Sequence, residues 1–235
     1  MLLNKPLAFV TLTDKGLRQS NADAVFGSEN LFIVADGVGT ASGSDLASQM
    51  AVNVVQQCFF AQIDLLSAIR QAHVNLRQYN VKNSHLSSLG TTIVAAAYSE
   101  GDCHIAWVGD SRAYLIDLNK QNIELLTYDH SLVNRLVEKG DITRDQSRTH
   151  PQRNVITRCL GLTQQENIEV DSMIFQWRDS QILLLCSDGL SGSLRDEKIL
   201  QCLQQPKSQR ELADELLQMA LQEGSKDNIS LVLVA

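Results

Sequence analysis

The sequence predicts an α+β fold in which strands come in series and helices come in pairs. Two observations carry that expectation. Runs rich in β-branched and apolar residues follow one another from Gly90 to Leu118 with only short turns between them, as antiparallel neighbours do. Helical patterns gather instead near Leu46 to Val81 and again towards the carboxyl end, so the regular strand-helix alternation of a parallel sheet is missing.

Taken in order, Leu7 to Thr13 alternates enough for a strand, and Gly16 to Asp23 is a polar loop. Asn30-Leu31 opens a strand that stops at Asp36-Gly37. A Gly/Ser-rich stretch, Gly39 to Ser44, leads into a helix from about Leu46 to Phe60. A second helix from Ile63 to Val81 sets Leu66, Ile69, His73 and Leu76 on one face. On such an apolar stripe His73 is a core residue rather than a ligand. Gly90 to Tyr98, His104 to Val108 and Ala113 to Leu118 are three strand-like runs. The helix from Ser131 to Lys139 is closed by Gly140. Asp141 to Leu160 then loses its periodicity. Ile168 to Phe175 and Gln181 to Ser187 are strands again, and Ser208-Gln-Arg-Glu211 is a capping box before Leu212, Leu216 and Met219. Gly224 stops that helix and Ile229 to Val234 is the last strand. No repeat, low-complexity tract or linker interrupts the pattern, so residues 1–235 are expected to form one domain.

A hydrophobic content of 44% is ample for a core, while the net charge of -7 argues against nonspecific nucleic-acid binding, which needs a basic surface. An anionic substrate would be repelled unless cations or local arginines reverse the field. The five cysteines are odd in number and form no C-x-x-C pair, which disfavours a disulfide frame or zinc ribbon and points to a reducing cytoplasm. Met1-Leu-Leu-Asn-Lys-Pro6 lacks an extended apolar signal region, and no run approaches the ~20 apolar residues of a membrane span. The expectation is a cytoplasmic monomer that binds neither membrane nor nucleic acid.

Function enters through the acids. Asp36, Asp188 and Asp227 each stand at or beside the end of an apolar run and precede a small or turn-forming residue, and Asp110 in Val108-Gly-Asp-Ser-Arg112 is a fourth such point. Clustered carboxylates repel one another and stay ionised together only beside a cation, so the pattern suits a hard-metal site in a hydrolase. Asp36 is the obvious bridge between two ions, with the Gly37 carbonyl as a further oxygen donor and Asp188 and Asp227 completing the set. Arg18 suits a bidentate grip on phosphate. Bland readings stand beside these: an isolated Asp-Gly is usually a turn, Asp110-Ser-Arg112 reads equally as an ion pair closing a hairpin, and His130 reads as a structural hydrogen-bonding residue.

Eight motifs carry a family resemblance. They are Gly16-x-Arg18-x-x-Asn21-x-Asp23, Val34-Ala-Asp36-Gly-Val-Gly39, Gly90-Thr-Thr92, Val108-Gly-Asp110-Ser-Arg112-Ala-Tyr114, Asp129-His-Ser131, Asn154-Val-Ile-Thr-Arg-x-Leu-Gly161, Cys186-Ser-Asp188-Gly-Leu190 and Asp227-Asn228. In order and spacing the chain resembles the bacterial branch of the protein phosphatase 2C family, the metal-dependent serine/threonine phosphatases. The resemblance implies a central β-sandwich of two mainly antiparallel sheets flanked by helices, in α-β-β-α layers. It also implies two Mn²⁺ or Mg²⁺ ions at one end, bridged by Asp36 and ligated by the Gly37 carbonyl, Asp188 and Asp227. By the same implication Asp23 holds the reacting water, Arg18 grips the phosphate, Asp110 serves a weaker third ion, and Asp141 to Leu160 is a flap. The implied substrates are phosphorylated proteins, in opposition to a serine/threonine kinase. Departures are Ala22 where many relatives have an acid, Val38 where animal enzymes place a histidine, Thr40 in place of a second glycine, and Gly192 where an acidic or amide residue is frequent.

Two rival classes remain. An aspartyl-phosphate protein needs paired acids and a downstream lysine, and Asp36-Gly-Val38 lacks the pair. A catalytically dead relative kept as a binding module would be expected to have lost ligands, yet Asp36, Asp188 and Asp227 are all present.

Overall fold

Alternate residues of Leu31-Phe-Ile-Val-Ala35 are buried on opposite sides of one strand, and this two-sided burial sets the layering of the whole molecule. The computed structural model describes residues 7–39, 43–83, 88–162 and 167–235; Met1 to Pro6 and Thr40 lie outside them. In chain order the elements are β1 (Phe9–Asp14), β2 (Asp23–Gly27), β3 (Leu31–Val38), α1 (Ser44–Phe60), α2 (Leu65–Lys82), β4 (Gly90–Thr91), β5 (Ile93–Ser99) and β6 (Asp102–Val108). There follow β7 (Arg112–Asp117), β8 (Asn122–Leu125), α3 (Leu132–Glu138), α4 (Arg144–Thr149), β9 (Asp171–Gln176), β10 (Gln181–Cys186), α5 (Asp188–Ser191), α6 (Asp196–Leu203), α7 (Gln209–Gln222) and β11 (Ile229–Val234).

One sheet runs β1-β11-β10-β7-β8, the other β2-β3-β5-β6-β9 with β4 beside β3, and every pairing is antiparallel. Phe32, Val34, Val94, Ile105 and Trp107 of the second sheet meet Leu183, Leu185, Val232 and Val234 of the first. Their strand neighbours Leu31, Ile33, Ile93 and Ala95 point the other way, against Ala51, Val55, Ile69 and Leu76 of α1 and α2. On the far side Tyr114, Leu184 and Leu231 pack against Ile199 of α6 and Leu212 and Leu216 of α7. The result is the α-β-β-α sandwich that the family resemblance implies, within the α+β class that the sequence pattern predicts.

Local chemistry sets the ends. Asp64 caps α2 by accepting from the Ser67 N–H at 3.0 Å, so that helix starts two residues later than its apolar pattern suggests. Ser208 and Glu211 form the anticipated capping box of α7. In the segment 141–160, read from sequence as irregular, a second capping box between Thr143 and Gln146 starts the short helix α4. His73 is buried, and its Nδ1 accepts from the Gly161 N–H at 3.1 Å, as befits a core histidine.

Candidate active site

Antiparallel pairing brings the end of β3, the start of β2, the β6–β7 turn, the end of β10 and the start of β11 to one end of the sandwich. Asp36 closes the apolar part of β3, and its register partner on β2 is Asp23, so the two carboxylates leave the same face of the sheet. Thr91 Oγ1 and the Thr92 N–H both donate to the Asp36 carbonyl at 2.8 Å, while the Asp36 N–H donates to Thr92 Oγ1 at 3.2 Å. Gly37 is a close-approach position: a Cβ there would lie 2.1 Å from the Ser44 carbonyl oxygen.

Asp188 opens α5 directly after β10. Gly189 lets the start of that helix lie on the backbone of Asn228, where a Cβ would come within 1.9 Å of the Asn228 oxygen, and this sets Asp188 beside Asp227. Asn228 is 5% exposed and ties the region together. Its Nδ2 donates to the Lys15 and Ser20 carbonyls at 2.9 Å, and its Oδ1 accepts from the Ala22 N–H at 2.8 Å. The loop 15–22 is thereby bound to β11. Sequence reasoning included Asp227-Asn228 as a motif but gave Asn228 no role.

Arg18 rides on that loop. Its Nη2 pairs with Asp227 Oδ2 at 2.8 Å and its Nε donates to the Lys226 carbonyl at 2.9 Å, with the side chain 56% exposed. Rather than standing free, it is anchored to one of the candidate ligands. Asp110 lies buried in the β6–β7 turn, and Arg112 makes its bidentate pair with Asp129 instead, at 2.9 and 2.8 Å, acting on Asp110 only through space. The hairpin-closing ion pair considered for Asp110-Ser-Arg112 is therefore made by another acid, which leaves Asp110 without a direct partner.

The electrostatics follow from burial and crowding. Asp36 and Asp110 are held well above the usual carboxylate range, first by burial and then by repulsion, from Asp23 and Asp188 on Asp36 and from Asp188 and Asp129 on Asp110. Burial also pushes Asp23 and Asp188 up to about 6, although Ser187 Oγ donates to Asp23 Oδ2 at 2.8 Å. Among the described residues, no group of three or more His, Cys, Asp or Glu is already drawn into a closed ligand set, as mutual repulsion favours. Yet Asp23, Asp110 and Asp188 each keep a buried Oδ1 with no hydrogen-bond partner. Uncompensated buried carboxylate oxygens are costly, and hard oxygen donors of this kind fit Mn²⁺ or Mg²⁺.

Beside the carboxylates lies a cavity of about 360 Å³ with Asp110 and Asp188 in its wall. Leu125, Val133 and Val137 give it an apolar side, and Arg144, Arg148 and Arg153 come from the segment that the resemblance marks as a flap. Arg148 is committed, donating to the Leu194 carbonyl at 2.9 Å.

A two-sheet sandwich with a carboxylate end of this kind defines a metal-dependent hydrolase. Residues 18–233 match the family model described as protein phosphatase 2C. The serine/threonine phosphatase stp of Listeria monocytogenes is 34% identical, over 94% of this chain and 93% of that protein. The structure of the serine/threonine phosphatase Stp1 from Staphylococcus aureus superposes with a TM-score of 0.90 at 34% identity, over 100% of this chain and 97% of that one. The catalytic domain of the serine/threonine protein phosphatase PstP, crystallised with two manganese ions, gives a TM-score of 0.86 at 30% identity, over 97% of each chain. This chain belongs to the protein phosphatase 2C family, and as a member it is a metal-dependent protein serine/threonine phosphatase.

Proposed function

We propose that this chain hydrolyses phosphoserine and phosphothreonine in proteins with two Mn²⁺ or Mg²⁺ ions held by Asp36, the Gly37 carbonyl, Asp188 and Asp227, with Asp110 towards a weaker third ion. The observation that carries the site assignment is the set of buried, unpartnered carboxylate oxygens on Asp23, Asp110 and Asp188 around Asp36. When bound, the ions supply an acidified water and positive charge opposite the phosphoryl oxygens. Asp23, steadied through Oδ2 by Ser187, has Oδ1 left to hold and orient water. Arg18, braced by Asp227 and the Lys226 carbonyl, still has guanidinium N–H groups to donate to a phosphate. With valine at position 38, no histidine acid stands there, and the leaving alkoxide takes its proton from solvent.

In this reading residues 1–235 work as one monomeric, cytoplasmic domain with a flap at about 141–160, opposing a serine/threonine kinase. No helix among the described residues is long and apolar enough to cross a membrane. The test is hydrolysis of a phosphopeptide and of p-nitrophenyl phosphate with Mn²⁺, with Mg²⁺ and after chelation. Activity is expected with either ion, lost on chelation and restored by adding metal back. Full turnover in chelator would refute the proposal, and absence of turnover with both ions would favour the binding-module reading.

A further inference from the structure

The turn that carries Asp110 and the returning arm of the segment 141–160 are both held by one buried residue, His130, through its main chain and its ring. Its main-chain N–H donates to the Gly109 carbonyl at 2.9 Å, and the Gly109 N–H donates back to the ring Nδ1 at 3.0 Å. The residue immediately before Asp110 is thus held at both its N–H and its carbonyl. Since Nδ1 accepts, the ring proton sits on Nε2, which donates to Asp171 Oδ2 at 2.7 Å. Asp171 also accepts from Tyr128 Oη and, at 3.1 Å, from Arg158 Nη1 of the arm. The His130 carbonyl accepts from the Thr157 N–H at 2.7 Å, and the next residues continue the junction through the Ser131–Ile156 bridge and the Leu132 N–H on the Val155 carbonyl at 2.8 Å. Trp107 stacks on the ring, with centroids 6.5 Å apart and planes at 18°, and so fixes its orientation.

A buried histidine usually fills a hydrogen-bonding niche and nothing more. Here its ring adds one side-chain contact to each of two segments that the His130 main chain already ties together, through the Gly109 carbonyl and the Thr157 N–H. We propose that His130 is a positioning residue with two separable ring contacts: Nδ1 sets the Asp110 turn, and Nε2, through Asp171 and Arg158, sets the arm 154–158. The inference rests on the reading of Asp110 as a cation ligand only for its metal consequence. The contacts to the arm stand independently of it.

Two substitutions divide the contacts. His130→Asn keeps an acceptor near Nδ1 and loses the reach to Asp171. His130→Gln keeps a donor near Nε2 and loses the acceptor for Gly109. Amide hydrogen exchange and Mn²⁺ calorimetry on the full chain are the readouts. For His130→Gln, exchange at the Gly109 amide, which loses its acceptor, should rise about tenfold and the weakest Mn²⁺ step should weaken severalfold, with the arm protected as in the wild type. For His130→Asn, exchange across residues 154–158 should rise severalfold while the Asp110 turn and the Mn²⁺ isotherm stay unchanged. Asp171→Asn, which leaves the grip on Gly109 in place, should repeat the second pattern and stands in if either histidine variant fails to fold. The proposal is overturned if the variants give the same pattern, or if neither segment responds. An isotherm insensitive to His130→Gln, with the exchange pattern divided as expected, would instead remove Asp110 from the cation site and leave the positioning role intact.

Discussion

The carboxylate cluster makes a prediction about stability that can be worked from Asp23. This residue is 7% exposed, and burial raises its carboxyl from 3.8 to about 6. A folded pKa above the unfolded one means that the favourable contribution is complete below pH 3.8 and is lost as pH climbs through 6. A displacement of that size corresponds to about 3 kcal/mol, or on the order of 6–12 °C in melting temperature for a chain of this length. A cation reverses the sign, because it binds the ionised form. His104 and His130, held below the usual imidazole range by burial, act in the opposite sense, their share being complete above about 6.5 and lost as pH falls below it. Subtracting the melting curve in chelator from that in saturating Mn²⁺ cancels these histidines. The stabilisation by Mn²⁺ should therefore grow as pH rises through and beyond about 6, where Asp23 and Asp188 ionise and Asp36 and Asp110 follow, and Asp23→Asn should reduce that growth without abolishing it. A midpoint near pH 4, where exposed aspartates titrate, would refute the reasoning.

Three further outcomes test the site. Asp36→Asn removes one charge from the proposed bridge at nearly constant shape, so kcat on p-nitrophenyl phosphate should fall at least ~100-fold with the fold retained; near-wild-type turnover would mean that Asp36 bridges nothing. Arg18→Ala should raise KM for small phosphoesters, and because Arg18 is paired with Asp227 at 2.8 Å it should also alter Mn²⁺ affinity, which calorimetry will register; unchanged values for both would return Arg18 to the surface. Arg144 and Arg153 line the cavity without an ion-pair partner among the described residues, so replacing both by Gln should lower kcat/KM on a phosphoprotein severalfold and leave p-nitrophenyl phosphate hydrolysis nearly unchanged. Equal loss on both substrates would mean that the segment supports the carboxylate end instead.

Much of this was legible in the sequence, and the gaps have physical causes. The strand-end acids declared themselves because a buried strand that delivers a carboxylate to a sharp turn is an unusual surface design. Strand β2 was missed because its apolar part, Ala24-Val-Phe26, is too short to show a period, yet it is the strand that sets Asp23 opposite Asp36. Helix α4 escaped for a similar reason: it has six residues and buries none of them, so only the Thr143–Gln146 capping box could have marked it. The partners of Arg18 and Arg112 were beyond reach, since sequence separation says nothing about which of several acids an arginine meets. Arg18 finds Asp227 across 209 residues, and Arg112 passes over its near neighbour Asp110 for Asp129.

That last choice explains how a chain of net charge -7 can act on an anion. Had Arg112 neutralised Asp110, the turn would be electrostatically quiet and would offer a cation little. Paired with Asp129, Arg112 offsets Asp110 and Asp188 only in part, and Asp110, Asp188, Asp36 and Asp23 form a cluster whose carboxyls are raised chiefly by burial. Such a cluster costs the folded chain stability as its carboxyls ionise, and divalent cations bound there would offset that cost. On the proposed assignment, cations bound there would reverse the local field, and a phosphate dianion would meet positive charge beside Arg18. In that reading, the same buried acids that cost the chain stability without cations would let it draw in its substrate with them.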